Sequence, residues 1–243
     1  MRRYWSEEIH YSQPTAYELK NRVRQSVSDA EKKGKKMHPV YPPGGRKLCN
    51  TWWGQAWCDN LEKYADFSSR LERGRRYFRS GTVIDLVIKK GLVEAQVQGT
   101  KKRPYKIRIK ISPLSQEKCE GLIESCGRRI SNMESLVRGE FPEDLKDLFT
   151  SQAGLFPEPK EISFNCSCPD WALMCKHVSA VMYSIAVRVD ENPFYFFELR
   201  GIDIERFIDV TLENKVEQML RNAGCESERI IDDADLTALF GVL

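Results

Sequence analysis

Four residues inside a twelve-residue stretch carry donor atoms that borderline-soft metals favour. They are Cys166, Cys168, Cys175 and His177, arranged as Cys-x-Cys, six intervening residues, then Cys-x-His. Zinc takes thiolate sulfur and imidazole nitrogen in a tetrahedron of four. Four donors close that shell, whereas a catalytic zinc keeps a position for water. The expectation is therefore one structural Zn2+ and no catalytic residue. A Cys/His nucleophile pair and unrelated core cysteines are the competing readings. So many ligand types in so short a run disfavour both. Cys49, Cys58, Cys119, Cys126 and Cys225 are scattered. Cys119 and Cys126 share one side of a helical pattern with Leu122 and read as small core residues.

A second group of residues could do different chemistry. From Met1 to Lys110 the chain has 25 Lys and Arg against 11 Asp and Glu, a formal +14; the rest carries 13 and 24, a formal −11. Clustered cations meet phosphates without regard to base sequence. The candidates are Arg73, Arg75, Arg76 and Arg79, then Lys101, Lys102 and Arg103, then Lys106, Arg108 and Lys110. The last three alternate with Tyr105, Ile107, Ile109 and Ile111, so on a strand they share one face. Nucleic acid, DNA foremost, is the expected partner. The competing reading sets this face against an acidic protein surface.

These groups need elements to hold them. Short runs at Arg75–Arg79, Thr82–Lys89, Leu92–Gln98 and Tyr105–Ile111, separated by Gly-containing turns, predict four antiparallel strands. A further strand over Glu161–Phe164 leads into the cysteines. Pro169 and Asp170 favour a turn between the ligand pairs. Val178, Val181, Met182 and Ile185 recur at helical spacing just after His177. Helices are also expected over Pro14–Gly34, Thr51–Tyr64, Ser115–Val137, Pro142–Phe149 and Asp203–Arg221. Trp52, Trp53 and Trp57 lie on the second of these. They could stack bases, but large aromatics at helical spacing more often bury against a sheet.

The fold class that follows is α+β: an antiparallel β-sheet front domain with flanking helices, then a helical segment and a small zinc-binding ββα-like module. The expected divisions are 1–39, 40–112, 113–156, 157–190 and 191–243.

The CxC…CxH pattern resembles that of the SWIM zinc finger. The likeness continues in CSCPDW from Cys166, in CKHVSAVMY from Cys175, and in Phe197 to Gly201. Upstream, Tyr41-Pro-Pro-Gly44, Thr51-Trp-Trp-Gly54, Ala56-Trp-Cys58 and Arg73-Gly-Arg75 resemble the front half of stand-alone bacterial and archaeal SWIM proteins, as do Tyr77, Arg79, Gly81 and Val83 behind them. Such proteins often have Pro before the third cysteine, where this chain has Met174. The resemblance implies a DNA-binding or protein-interaction role, in company with a helicase-like ATPase of the Swi/Snf class. This sequence has no GxxxxGK[ST] loop, so energy for any remodelling comes from a partner.

Other classes fare worse. Asp85 with Glu94-Ala-Gln96 is a faint match to the paired acids of a metal-dependent nuclease, but Gln96 stands where a lysine belongs. No apolar run is long enough to span a bilayer, and no apolar stretch follows the basic first residues as a secretory signal requires. The expected location is cytoplasmic, with no membrane partner.

Overall fold

In the strand Tyr105–Ile111 every second side chain is buried, Tyr105, Ile107, Ile109 and Ile111, while Lys106, Arg108 and Lys110 are exposed. That alternation sets the whole architecture, because one side of the sheet must then be covered and the other left open. The computed structural model describes residues 14–129, 141–151 and 154–223. Its sheet has four antiparallel strands in sequence order: β1 (Val83–Lys89), β2 (Leu92–Val97), β3 (Tyr105–Ile111) and β4 (Ile162–Cys166). The register places Glu94 opposite Arg108 and Ile107 opposite Cys166. The strand that delivers the first cysteine is thus an edge of the same sheet that carries the basic row.

The helices are α1 (Ala16–Glu31), α2 (Trp52–Asn60), α3 (Ser68–Arg79), α4 (Gln116–Arg129), α5 (Lys146–Thr150), α6 (Lys176–Glu191), α7 (Phe194–Arg200) and α8 (Ile204–Ala223). The last part of the helix expected to reach Val137 lies outside the described residues, as does Cys225. Helix α6 lies against all four strands, and α2 and α3 pack on it. With neighbours on so many sides it is buried around most of its circumference, from His177 through Val187. A helix that is apolar all round belongs in the middle of a core, and Val178, Ala180, Val181, Met182, Ile185 and Ala186 supply that surface.

Two expectations are corrected here. Arg75–Arg79 is not a strand but the end of helix α3. The arginine-rich run imitates strand alternation, yet Leu71, Gly74, Tyr77 and Phe78 recur at three- and four-residue spacing and face inward. The fourth strand comes from Ile162–Cys166 instead. Trp53 and Trp57 are core, as expected, but they bury against α6 rather than against the sheet, while Trp52 is half-buried beside Trp53 and Phe149. Trp57 Nε1 donates to the Met182 carbonyl at 3.0 Å and Trp53 Nε1 to the Val189 carbonyl at 2.9 Å. Trp52 Nε1 donates to the Phe141 carbonyl at 3.1 Å. All three indole N–H groups are satisfied, and the burial of Trp53 and Trp57 leaves neither ring free to stack a base.

Both ends of α6 are tied down. At its C-terminal end the Asp190 carboxylate accepts from the Asn50 amide and from the amide and hydroxyl of Thr51, the residue that caps α2. Nearby, the buried Arg200 of α7 donates to the Ser112 carbonyl at 2.7 Å and pairs with Glu161 at 3.1 Å. It thereby fixes the approach to β4. Helices α3 and α6 come into direct contact at Gly74. A Cβ there would lie 2.4 Å from the Cβ of Ser179 and 3.0 Å from the Ala180 nitrogen. Gly74→Ala should therefore cost about 1–3 kcal/mol by overpacking. Thermal unfolding should show a drop of several degrees, and Ser179→Gly in the same chain should recover part of it. An unchanged Tm for Gly74→Ala would contradict this close crossing.

Candidate metal centre

The strand ladder does the first part of the work. Ser167 continues the pairing beyond β4: its amide donates to the Lys106 carbonyl at 3.0 Å and its hydroxyl accepts from the Lys106 amide at 2.9 Å. Residues two apart on an extended chain face the same way. Cys166 and Cys168 thus both point beneath the sheet, while Ser167 points out. Asp170 then makes the turn. One oxygen of its carboxylate accepts from the Ala172 amide at 3.3 Å and from Arg70 of α3 at 3.1 Å. Met174, where SWIM proteins often have Pro, is fully buried and serves packing. Cys175 takes the N-cap position of α6 in extended conformation, and His177 follows in the first turn.

Together these elements bring the four predicted ligands into one cluster. One ligand atom from each residue lies within 4.8 Å of all the others. The Nδ1 of His177 is 3.9 Å from the sulfur of Cys175 and 4.0 Å from that of Cys166. Tetrahedral zinc with ordinary bond lengths separates its ligand atoms by about 3.5–3.8 Å. The donor set therefore fits a single ion, with only a small inward movement. Cys175 and His177 are buried, Cys166 and Cys168 half-buried. Cys175 is the thiol readiest to ionise. It is pulled down to about 3, first by the hydrogen bond from Cys166, with His177 and the amide of Val178 adding to the effect. The Cys166 thiol is pushed up by the same interaction and by burial, and Cys168 is pushed up by burial. The cluster thus favours the thiolate form at Cys175, and a cation would draw protons off the other thiols.

Residues that the sequence reading did not single out hold the imidazole. Tyr105 stacks on His177 with ring centres 4.2 Å apart, and Tyr77 meets it edge-on at 5.4 Å. The chain passes over its far side at Gly99, where a Cβ would lie 2.6 Å from the Tyr105 ring and 3.2 Å from His177 Nε2. That Nε2 is buried without a hydrogen-bond partner among the described residues. Aromatic packing, rather than the usual hydrogen bond to the second nitrogen, orients this ring. The pattern of ligands gives no sign of these neighbours, because Tyr77, Gly99 and Tyr105 come from three distant places in the chain.

Among the described residues the remaining cysteines stay apart from the cluster. Cys49 and Cys58 are buried with their sulfurs 3.9 Å apart, Cys126 is buried and Cys119 half-buried.

The candidate phosphate-binding cations divide among three places. Lys106, Arg108 and Lys110 stand in a row on the open face of the sheet. Beside them lies a depression of about 620 Å³, lined by Asp85, Glu94, Gln96, Lys106, Arg108, Asn165 and Ser167 among others. Lys102 and Arg103, in the β2–β3 connection, line a cleft of about 330 Å³ together with Lys33 and Lys35, just beyond α1. Gln98 steadies that connection by donating to the Gly99 and Lys101 carbonyls. Arg73, Arg75, Arg76 and Arg79 ride on α3 instead. Of these, Arg79 donates to the carbonyls of Gly45 and Arg46, and Arg75 lies over the Tyr183 ring at 5.2 Å. The open face is not purely positive. Glu94 pairs with Lys89 at 2.7 Å and with Arg108 at 2.9 Å, and these two partners hold its carboxyl below the usual range. Asp85 accepts from the His38 amide at 2.9 Å and from Gln96 at 3.3 Å.

No protein-family model matches the chain, and no solved structure matches it. It is 39% identical over 160 residues to a Mycobacterium tuberculosis protein named "Uncharacterized protein Rv2102", a match taking in 65% of this chain and 57% of that one. The chain thus spans less than two thirds of that relative's length. The SWIM resemblance rests on the residues quoted for it. Among the described residues no helix is long and apolar enough to cross a membrane.

Metal analysis of protein purified without added metal tests the centre. Cys166→Ser and His177→Ala should each take bound metal well below one ion per chain and lower the Tm. Replacing both Cys119 and Cys126 by Ala should cost stability and leave the metal in place. Full metal retention in His177→Ala would show that the ligands lie elsewhere.

Proposed function

We propose that this protein is a SWIM-type zinc-binding module that acts as a nucleic-acid-binding accessory protein. Cys166, Cys168, Cys175 and His177 would hold one structural Zn2+. The chemistry such an ion supplies is a cross-link: in finger peptides structural zinc contributes about 10–16 kcal/mol of apparent binding energy at neutral pH. The four donors leave no open position for a reacting water, which argues for architecture over catalysis.

The observation that carries the binding reading is the row Lys106, Arg108 and Lys110 on an uncovered sheet face. Successive cations in that row stand about 6.6 Å apart along the strand. The β2–β3 connection extends the row with Lys102 and Arg103 toward Lys33 and Lys35, just beyond α1. Phosphates are met by such solvent-facing cations, for which Arg108 would exchange its Glu94 partner. An ATPase of the Swi/Snf class is the partner that the SWIM resemblance implies. Glu94 and Asp85 favour a second reading, since they interrupt the row and would suit a mixed-charge protein contact. On that reading the protein is an adaptor without direct nucleic-acid contact. The nuclease reading has less support: Asp85 and Glu94 share the open face, but each is engaged by neighbouring side chains, and no lysine completes the set.

Fluorescence anisotropy of labelled DNA over a salt series tests this. If about six cations meet phosphates, affinity should fall roughly a thousandfold between 50 and 200 mM salt. Replacing Lys106, Arg108 and Lys110 together by Gln should reduce the slope of log K against log salt by about 3 units. Circular dichroism and metal content should stay as in the unmodified protein. Absence of binding at low salt, or an unchanged slope in the triple variant, would favour the adaptor.

A further inference from the structure

The zinc loop carries a large apolar side chain that nothing covers. Trp171 is 81% exposed, more than any other large hydrophobic residue described. It is nevertheless not on a loose segment. Its ring meets Phe67 edge-on at 5.7 Å. On one side of it Asp170 is bonded to Arg70 and to the Ala172 amide. On the other, the Leu173 amide donates to Asp66 at 3.0 Å. Beyond these, Cys168 and Cys175 anchor both ends of the loop in the ligand cluster. An exposed indole costs hydration free energy, and holding it rigid costs entropy as well. Both costs are recovered if a flat partner stacks on it.

The loop's bonds show what lies around that indole. Ser167 joins the loop to Lys106, the near end of the basic row. Four peptide links separate Ser167 from Trp171, so their Cα atoms are at most about 14 Å apart. Asp170 joins the loop to α3 through Arg70, and Arg73 lies one turn further on the same helix face. The zinc loop, which carries Trp171, is therefore bonded to β3 and to α3, two of the separate elements that carry the candidate cations.

We propose that Trp171 is the stacking platform for one base of a single-stranded nucleic acid, with Lys106 and Arg73 taking phosphates on either side. This rests on the nucleic-acid reading above and names its ligand class. In a duplex the base faces are already covered by their neighbours; only an unpaired base offers a free face to an indole. Flanking cations with an exposed aromatic are what sequence-tolerant single-strand binding requires. Leu173, exposed beside Trp171, extends the apolar surface for the same base.

The test uses the full chain with metal bound and a labelled oligothymidylate of about 12 nucleotides, within the usual range of single-strand site sizes. The same strand annealed to its complement serves as duplex. Binding is read by anisotropy and by intrinsic tryptophan fluorescence. Trp53 and Trp57 are buried, so quenching that disappears in Trp171→Ala reports on this ring. The single strand should quench the unmodified protein and the duplex should not. Trp171→Ala should lose the quench and bind the single strand roughly 5- to 150-fold more weakly. Its salt slope should be unchanged, and Trp171→Phe should restore most of the affinity. Metal content and Tm should match the unmodified protein, because the ring supports no core. If Trp171→Ala binds the single strand as tightly as the unmodified protein does, the platform is wrong while the basic face stands, and Trp171 becomes an anchor for a protein pocket. If the unmodified protein binds neither DNA, the platform and the nucleic-acid reading fall together.

Discussion

Everything in this fold is arranged around helix α6, which is buried on the sheet side and on the opposite side at once. Such a helix cannot be placed by its own amphipathic stripe, because it has none that faces water. Its position has to be set at its ends. The C-terminal end is held by the Asp190 carboxylate, which accepts three hydrogen bonds from Asn50 and Thr51. The N-terminal end is held by the ligand cluster, in which Cys175 and His177 from the helix face Cys166 and Cys168 from the edge strand. A single ion among those four atoms would join the outermost strand to the central helix.

That arrangement links two faces that the sequence presents separately. Tyr105 stacks on His177 from below the sheet, and its neighbour Lys106 opens the basic row above it. Gly99 passes within contact distance of the same imidazole, and the cations Lys101, Lys102 and Arg103 follow directly. The backbone that supports the cations is therefore the backbone that packs on the metal ligand. The contacts between the ligand cluster and the open face thus run through adjacent residues, Tyr105 to Lys106 and Gly99 to the cations behind it. The loop between the ligand pairs meets the open face too, for Ser167 completes the ladder with Lys106.

What could be read from the sequence was local. The four ligands sit within twelve residues, so their types and spacing identified them before any tertiary contact was known. The strand Tyr105–Ile111 was legible because its alternation is unbroken over seven residues. Arg75–Arg79 was not, since one turn of an arginine-rich helix alternates much as a strand does; the inward spacing of Leu71, Gly74, Tyr77 and Phe78 was the better signal. Long-range pairing was out of reach. Nothing near Ile162–Cys166 announces that it joins Tyr105–Ile111, and nothing near the tryptophans tells that a helix, not the sheet, receives them. Trp171 was hidden for the opposite reason: its exposure depends on where the loop is pinned, by Asp66 and Arg70 from a distant part of the chain.

Hydrogen exchange followed by mass spectrometry, on the metal-loaded protein and after a strong chelator, tests the central role of the cluster most directly. If the ion joins the edge strand to the central helix, chelation should strip protection from residues 162–168 and from the first turns of α6 around His177 to Val181. The end held by Asp190 should lose less. Unchanged protection in both segments after proven metal removal would contradict the account, for the strand and helix would then be held by packing alone.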